Sequence, residues 1–250
     1  MSTHILETQG LTKSFKGFTA VNGVNLRVKR GTIHALIGPN GAGKTTVFNL
    51  LTKFLSPSAG SIIYDGKDIT HRKAADIADH GIVRSFQISA VFPHLSVRDN
   101  VRVALQRRLG FSYHFWRSDK ILDSLDERAM ELLDAVGLAD FADDISVELA
   151  YGRKRALEIA TTLALDPTLM LLDEPTQGMS AEDVGKITAL IKQVAAERTI
   201  LMVEHNLGVV ASLADTISVL NQGEILAEGP YEEVSRNKAV REAYMGTADA

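Results

Sequence analysis

One stretch constrains this chain more than any other: Gly38-Pro39-Asn40-Gly41-Ala42-Gly43-Lys44-Thr45-Thr46. It fits the spacing G-x-x-x-x-G-K-[ST], and its surroundings fit as well. An apolar run, Ile33 to Ile37, precedes it, and Val47, Leu50, Leu51 and Phe54 follow at helical spacing. Glycines let successive backbone N–H groups curl around phosphate oxygens with no Cβ in the way. The helix behind adds the positive end of its dipole. Lys44 is then expected to reach the β- and γ-phosphates of a nucleotide, and Thr45 to ligate Mg2+.

The remaining chain supplies further strand and helix signals. The apolar runs Leu169 to Leu172, Ile200 to Val203 and Ile217 to Leu220 alternate with amphipathic stripes. Those stripes are Ala156/Ile159/Ala160/Leu163, Ile187/Leu190/Ile191/Val194 and Leu207/Val210/Ala211/Ala214. Buried strands alternating with helices predict an α/β core with a mostly parallel sheet. The first thirty residues differ. Val24, Leu26 and Val28 alternate with polar neighbours, and Asn22-Gly23 and Arg30-Gly31 are turn signals, which predicts an antiparallel β subdomain. A second hairpin is expected over Ile62 to Ile69, turning at Asp65-Gly66. Ser180 with Asp183 reads as a capping box, and Asp166-Pro167 as a helix stop. Between about 88 and 156 the strand runs vanish, and the stripe Ala129/Leu132/Leu133/Val136 ends at Gly137. The expected organisation is a nucleotide-binding core at 1–87 and 157–250 with a helical subdomain at 88–156.

Two more strand ends carry chemistry. Leu169 to Leu172 leads into Asp173-Glu174, and ligands bind at that edge of open α/β sheets. Asp173 is expected to hold Mg2+, and Glu174 to orient or deprotonate an attacking water. Alone, such a pair reads more readily as a solvated acidic turn; beside a phosphate loop the functional reading prevails. Ile200 to Val203 ends in Glu204-His205, where a neutral imidazole can hydrogen-bond a γ-phosphate.

Composition excludes several classes. The 27 Lys+Arg against 31 Asp+Glu give a net charge of −4, and no run of five basic residues occurs, which argues against a nucleic-acid partner. The absence of cysteine excludes disulfides and thiolate metal sites and fits a reducing compartment. Met1 to Gly10 lacks a signal-peptide pattern, and no run approaches the ~18 apolar residues of a membrane helix. Any work at a membrane is expected from outside the bilayer.

With these motifs in one chain, the sequence resembles the ATP-binding cassette (ABC) ATPases over essentially its full length. Gly38 to Thr46 matches the family's Walker A and Leu169 to Glu174 its Walker B. His205 matches the switch histidine, Gln177-Gly178-Met179-Ser180 the D-loop, and Gln87, in Arg84-Ser85-Phe86-Gln87, the Q-loop glutamine. The resemblance implies a P-loop NTPase (RecA-like) fold with ATP and Mg2+ as ligands. Glu174, His205 and Gln87 form the implied catalytic set, and Thr45, Gln87 and Asp173 the metal set. Phe15 is expected to stack on adenine, with Val21 beside it.

The signature motif departs from the family's Leu-Ser-Gly-Gly-Gln or Leu-Ser-Tyr-Gly-Gln, reading Leu149-Ala150-Tyr151-Gly152-Arg153. Ala150 and Gly152 are expected to cover the nucleotide of a partner subunit. Ala150 lacks the serine hydroxyl, and a lost charge-assisted bond is worth roughly 1.5–3 kcal/mol. Arg153 adds a cation near the same phosphates that offsets part of this loss, and the missing hydroxyl at Ala150 leads to the expectation of a slower composite site. Ser180 stands where many relatives carry Asp.

Asp173 to Met179, Gly81 to Gln87 and the long helical insert are similar to ATPase subunits of branched-chain amino acid importers, whose relatives take up urea, short amides or aromatic acids. That resemblance implies a dimer with a second ABC ATPase subunit, identical or homologous. It also implies integral membrane permease subunits, an extracytoplasmic solute-binding protein, and peripheral attachment at the cytoplasmic face of the inner membrane. A non-transport ABC ATPase and a P-loop small-molecule kinase are the rival readings. Intact Lys44, Asp173 and Glu174 argue against an inactive regulatory cassette. Phe111 to Trp116 reads as filler for the helical insert or a patch facing permease or lipid, and Arg102, Arg107 and Arg108 as a solvated helix face.

Overall fold

The computed structural model describes residues 3–85, 91–108 and 125–245. The N-terminal strands β1 (His4–Phe15), β2 (Phe18–Val24) and β3 (Arg27–Lys29) pair antiparallel, joined by β5 (Ala59–Tyr64) and β6 (Lys67–Asp68). The tight turn between β1 and β2 lies at Lys16-Gly17, where Phe15 pairs with Phe18. Asn22-Gly23 is not a hairpin turn: it lies inside β2, beside a shift in register against β1. Asp65-Gly66 does turn the β5–β6 hairpin, with both residues at positive φ, as a two-residue turn of matching twist requires.

The second sheet follows the order β11-β10-β4-β9-β8-β7. Its parallel members are β4 (Ile33–Ile37), β7 (Ile82–Ser85), β8 (Leu169–Asp173), β9 (Thr199–Val203) and β10 (Thr216–Asn221). β11 (Glu224–Gly229) closes one edge antiparallel. Strands β4, β8 and β9 are buried at every position, the expected state of a sheet covered on both faces. One side of the sheet packs on α1 (Lys44–Leu51) and the β1–β2–β5 layer, through Leu6, Phe48, Leu50 and Leu171. The other side packs on α5 (Tyr151–Ala164) and α6 (Ala181–Ala195), through Ile159, Leu163, Ile187 and Ile191.

Helices α3 (Val97–Arg108) and α4 (Asp126–Ala135) lean on α5 and form the helical insert. Gly137, at positive φ, ends the α4 turn, with Leu138 N–H returning to the Leu133 carbonyl. The apolar cluster of the insert is continuous with the lower sheet face, and α5 runs unbroken through position 157. α3 turns Val97, Val101 and Leu105 inward. Arg102 is not on a solvated face: its side chain is 12% exposed and pairs with Asp126 at 3.0 Å and Asp99 at 2.9 Å. The aromatic segment Phe111 to Trp116 and the Arg108 side chain lie outside the described residues.

Two expected stripes rotate. α1 ends at Leu51, so Phe54 lies beyond the helix and is 59% exposed. In α7 (Leu207–Leu213) the buried residues are Val209, Val210 and Leu213, while Leu207 faces outward. Three further short helices, α2 (Ala74–Asp79), α8 (Tyr231–Arg236) and α9 (Lys238–Met245), complete the described fold.

His34 on β4 is 1% exposed, and its Nε2 donates to Ser218 Oγ at 2.8 Å, which donates in turn to Glu228 Oε2 at 2.5 Å. Burial pulls the imidazole from 6.5 to about 4. The folded state therefore prefers neutral His34, while the unfolded chain protonates it near pH 6.5. Its contribution, about 3 kcal/mol, is complete above that pH and is lost as pH falls toward 4. His34→Gln should flatten the acid side of the stability curve measured by urea unfolding from pH 7 to 4.5. An unchanged slope would assign the acid sensitivity to other groups.

Candidate nucleotide site

The loop between β4 and α1 holds a conformation only glycine tolerates. Gly43 has φ +105, and a Cβ there would lie 2.4 Å from the Ala20 carbonyl oxygen. The Lys44 ammonium donates to the carbonyls of Gly38 at 2.7 Å and Pro39 at 2.9 Å, so the loop curls around its own lysine. Burial pushes Lys44 below its ordinary value, while the carboxylates of Glu174 and Asp173 act to raise it. Both carboxylates therefore lie beside the loop. From the C-terminal helix, Tyr244 accepts a backbone hydrogen bond from Gly38; burial pushes its phenol up to about 12, against the pull of that bond.

Asn40, Gly41, Ala42, Gly43, Lys44, Thr45 and Thr46 share one cavity of about 250 Å³ with Glu174 and His205. Glu174 follows β8 directly and sits at φ +46, a left-handed conformation uncommon for a non-glycine residue and concentrated at functional sites. Its N–H bonds the Val203 carbonyl at 2.9 Å, which locks the turn to β9. His205 Nε2 donates to Glu174 Oε1 at 2.6 Å. Three segments far apart in sequence thus deliver lysine, carboxylate and imidazole to one sheet edge.

Several neighbours escaped sequence reasoning. Glu204, 3% exposed, accepts from the backbone N–H of Thr176 at 3.0 Å, His205 at 2.8 Å and Asn206 at 3.1 Å, and also from the Thr176 hydroxyl. It stitches the turn after β8 to the turn after β9. Arg84 on β7 pairs with the Asp173 carboxylate. Arg155 on α5 donates to the Asp173 backbone carbonyl at 2.8 Å and pairs with Glu158 at 2.5 Å. The signal for Glu204 was present, as a carboxylate directly before His205; the two arginines carry no local signal.

The base-side expectations shift. Phe15 is 43% exposed and lies under the Lys13 ammonium, 5.3 Å from the ring centre. Its cross-strand neighbour Phe18 lines the phosphate-loop cavity with Ala20. Val21 is fully buried in the core, so the wall facing the cavity is built by Phe18 and Ala20 instead. Gln87 lies outside the described residues.

Ala150 and Gly152 are not brought to this cavity. They border a different one, with Asp183. Gly152 packs where a Cβ would lie 2.9 Å from Asp183 Cγ, and Asp183 is itself held by the Ser180 cap. Tyr151 Oη donates to the Gln177 carbonyl at 3.0 Å, which joins the signature turn to the D-loop segment. The Arg153 guanidinium lies 3.8 Å from the Phe141 ring centre, so its charge is engaged within the helical insert.

The donor set suits Mg2+. Thr45, which carries a hydroxyl, lines the cavity, and the Asp173 carboxylate lies near enough to Lys44 to act on its charge. A hard cation that keeps several waters and bridges phosphates needs only one or two such protein oxygens.

A family model described as ABC transporter matches residues 21–177, and one described as branched-chain amino acid ATP-binding cassette transporter matches residues 224–250. The chain is 40% identical to the high-affinity branched-chain amino acid transport ATP-binding protein BraF of Pseudomonas aeruginosa, over 99% of this chain and 100% of BraF. It is 37% identical to LivG of Escherichia coli, another high-affinity branched-chain amino acid transport ATP-binding protein, over 99% of this chain and 100% of LivG. Among solved structures, the ADP conformation of MJ1267, an ATP-binding cassette of an ABC transporter, superposes with a TM-score of 0.86 at 28% identity, covering 98% of this chain and 100% of that one. The cassette MJ0796, solved as a dimer in a post-hydrolysis state with ADP and Pi, has a TM-score of 0.75 at 26% identity, covering 90% of this chain and 98% of that one. The phosphate loop, the carboxylate pair and the strand-end histidine occur here in a fold shared with those cassettes, and the chain belongs to the ABC transporter ATP-binding family, as an ATP-hydrolysing subunit.

Proposed function

We propose that this chain powers the import of a small polar solute, most concretely branched-chain amino acids or related compounds such as urea and amides. It works at the cytoplasmic face of the inner membrane as one of two cassettes beneath a separate permease. The observation that carries the two-cassette reading is the division of the site. Lys44, Glu174 and His205 share one cavity, while Ala150 and Gly152 border another. A second cassette, identical or homologous, brings its own Ala150 to Gly152 turn and the dipole of its α5 to the open side of the nucleotide. The absent hydroxyl at Ala150 makes that lid weaker than a serine lid. The BraF and LivG names support the substrate class, and through it an extracytoplasmic solute-binding protein.

In each site Lys44 grips the β- and γ-phosphates. Glu174 orients the attacking water and takes its proton, and His205 holds that carboxylate until it turns its N–H to the γ-phosphate. Thr45, Gln87 and Asp173 would hold Mg2+, which supplies neutralisation of charge on the phosphate oxygens. Phe18 and Phe15 form the aromatic face for adenine.

A groove of about 600 Å³ between α2, β7, α3 and α5 is the proposed permease seat. Phe54 and Phe92 line it and are both more than half exposed, and Arg84 and Phe92 flank the segment that contains Gln87. Movement of a permease segment in that groove is thereby passed to Gln87 and the ATP site.

Affinity purification of the full chain from detergent-solubilised membranes is expected to recover permease subunits. Adding a branched-chain amino acid with its binding protein should then raise ATP hydrolysis severalfold. Recovery in soluble or ribosomal complexes without a permease would overturn the importer reading.

A further inference from the structure

Asp173 is held from two directions. Its backbone carbonyl accepts from Arg155, and its carboxylate is paired with Arg84. Arg84 stands on β7, one residue before the strand ends, and pairs in register with Leu171 of β8. Its side chain crosses to the end of the neighbouring strand, where both it and Asp173 are 10% exposed. The other arm of the guanidinium donates to Asn49 Oδ1 at 2.7 Å, and the group lies 5.6 Å from the ring centre of the wholly buried Phe48. Asn49 and Phe48 belong to α1, the helix that opens with Lys44 and Thr45.

We propose that Arg84 is a positioning residue for ATP hydrolysis, its forked guanidinium setting the Asp173 carboxylate at a fixed place relative to the helix that carries Lys44 and Thr45. The inference deepens the ATPase reading and rests on it. Its physical basis is the shape of the group. A planar guanidinium satisfies two acceptors in fixed directions, whereas an ammonium is a point charge on a flexible stem. A nearly dry carboxylate needs a partner, and the partner determines which oxygen is left for other ligands. With one oxygen committed to Arg84, Asp173 keeps only the other for a cation. Because Arg84 also begins the connection to Gln87, a shift of β7 would move Asp173 with it.

The test uses the purified full chain and three variants, Arg84→Met, Arg84→Lys and Asn49→Ala. Steady-state turnover, Mg2+ titration of fluorescent mant-ATP binding, and thermal unfolding without nucleotide are measured for each. Arg84→Met should lower kcat tenfold or more, with KM for ATP within about threefold at saturating Mg2+. Its half-saturating Mg2+ concentration for mant-ATP binding should fall three- to tenfold, because both carboxylate oxygens are then open to the cation and no guanidinium competes. Arg84→Lys restores the charge, so its Mg2+ requirement should return toward the wild-type value while kcat stays several-fold low. Asn49→Ala, which loses one arm of the fork, should lower kcat by about threefold. A kcat for Arg84→Met within twofold of wild type would overturn the proposal. So would a kcat loss accompanied by lower unfolding temperature and an unchanged Mg2+ requirement, the pattern of a plain structural strut. Failure to recover a permease would overturn the importer reading and leave these ratios, all measured on the cassette itself, unaffected.

Discussion

Glu174→Gln is expected to reduce ATP turnover by about 10²- to 10⁴-fold, the range for losing a positioned general base. Nucleotide affinity should stay within a few-fold, because Lys44 and the loop backbone are untouched. The amide has nearly the shape of the carboxylate and can still accept from His205 Nε2, now 2.6 Å from Glu174 Oε1. It also meets the same backbone requirement at φ +46. The variant therefore separates chemistry from fold: the N–H bond to Val203 and the cavity wall persist, and only the proton acceptor is gone. Steady-state hydrolysis and mant-ATP binding on the same preparation decide the matter. A kcat within threefold of wild type would remove Glu174 from the proton transfer. Loss of binding in parallel with turnover would assign it to the ground-state site instead.

Arg155→Met is expected to cost about 3–5 kcal/mol of stability, the usual range for breaking one side of a buried ion pair. The Arg155 and Glu158 side chains are 6% and 2% exposed, and removing the guanidinium breaks their 2.5 Å ion pair. The Asp173 carbonyl loses its 2.8 Å donor in the same change. For a chain of this size the unfolding temperature should fall by roughly 6–20 °C. The double variant Arg155→Met with Glu158→Leu should recover most of the loss, since a dry apolar pair packs without the desolvation penalty. Thermal unfolding of the two variants without nucleotide is the measurement. Equal instability of single and double variants would place the effect in the Asp173 contact rather than in the ion pair.

Much of the site was legible because its signals are local. The phosphate loop announces itself by glycine spacing between an apolar run and a helical stripe. Asp173-Glu174 and His205 were legible because each follows directly on a buried strand. The Ser180 cap and the Asp65-Gly66 turn were readable for the same reason: their geometry is satisfied within four residues. Where periodicity was extended past a helix end, it misled. Phe54 continues the spacing of Val47, Leu50 and Leu51, yet the chain leaves the helix at Lys53, which has φ +61. Leu207 and Ala211 fit a helical stripe as well as Val209 and Leu213 do, and a seven-residue helix is too short for the spacing to choose between them. Val21 is expected beside adenine, yet Phe18 and Ala20 line the phosphate-loop cavity while Val21 is buried, because a register shift between β1 and β2 sets which face each residue takes.

The amino-acid sequence alone determined the chemistry on offer: a phosphate-loop turn, a strand-end carboxylate pair, an imidazole, and an Ala150 to Gly152 turn lacking a serine hydroxyl. Tertiary structure alone decided which charges meet. Arg84 and Asp173 are 89 residues apart, and Arg155 reaches Asp173 across 18 residues. Those partnerships follow from β7 lying beside β8 and from α5 docking beneath the sheet. Strand order and helix docking are settled by burial summed over the whole core. No short stretch of sequence records that sum, so the contacts of Arg84 with the Asp173 carboxylate and of Arg155 with the Asp173 backbone carbonyl became visible only in the fold.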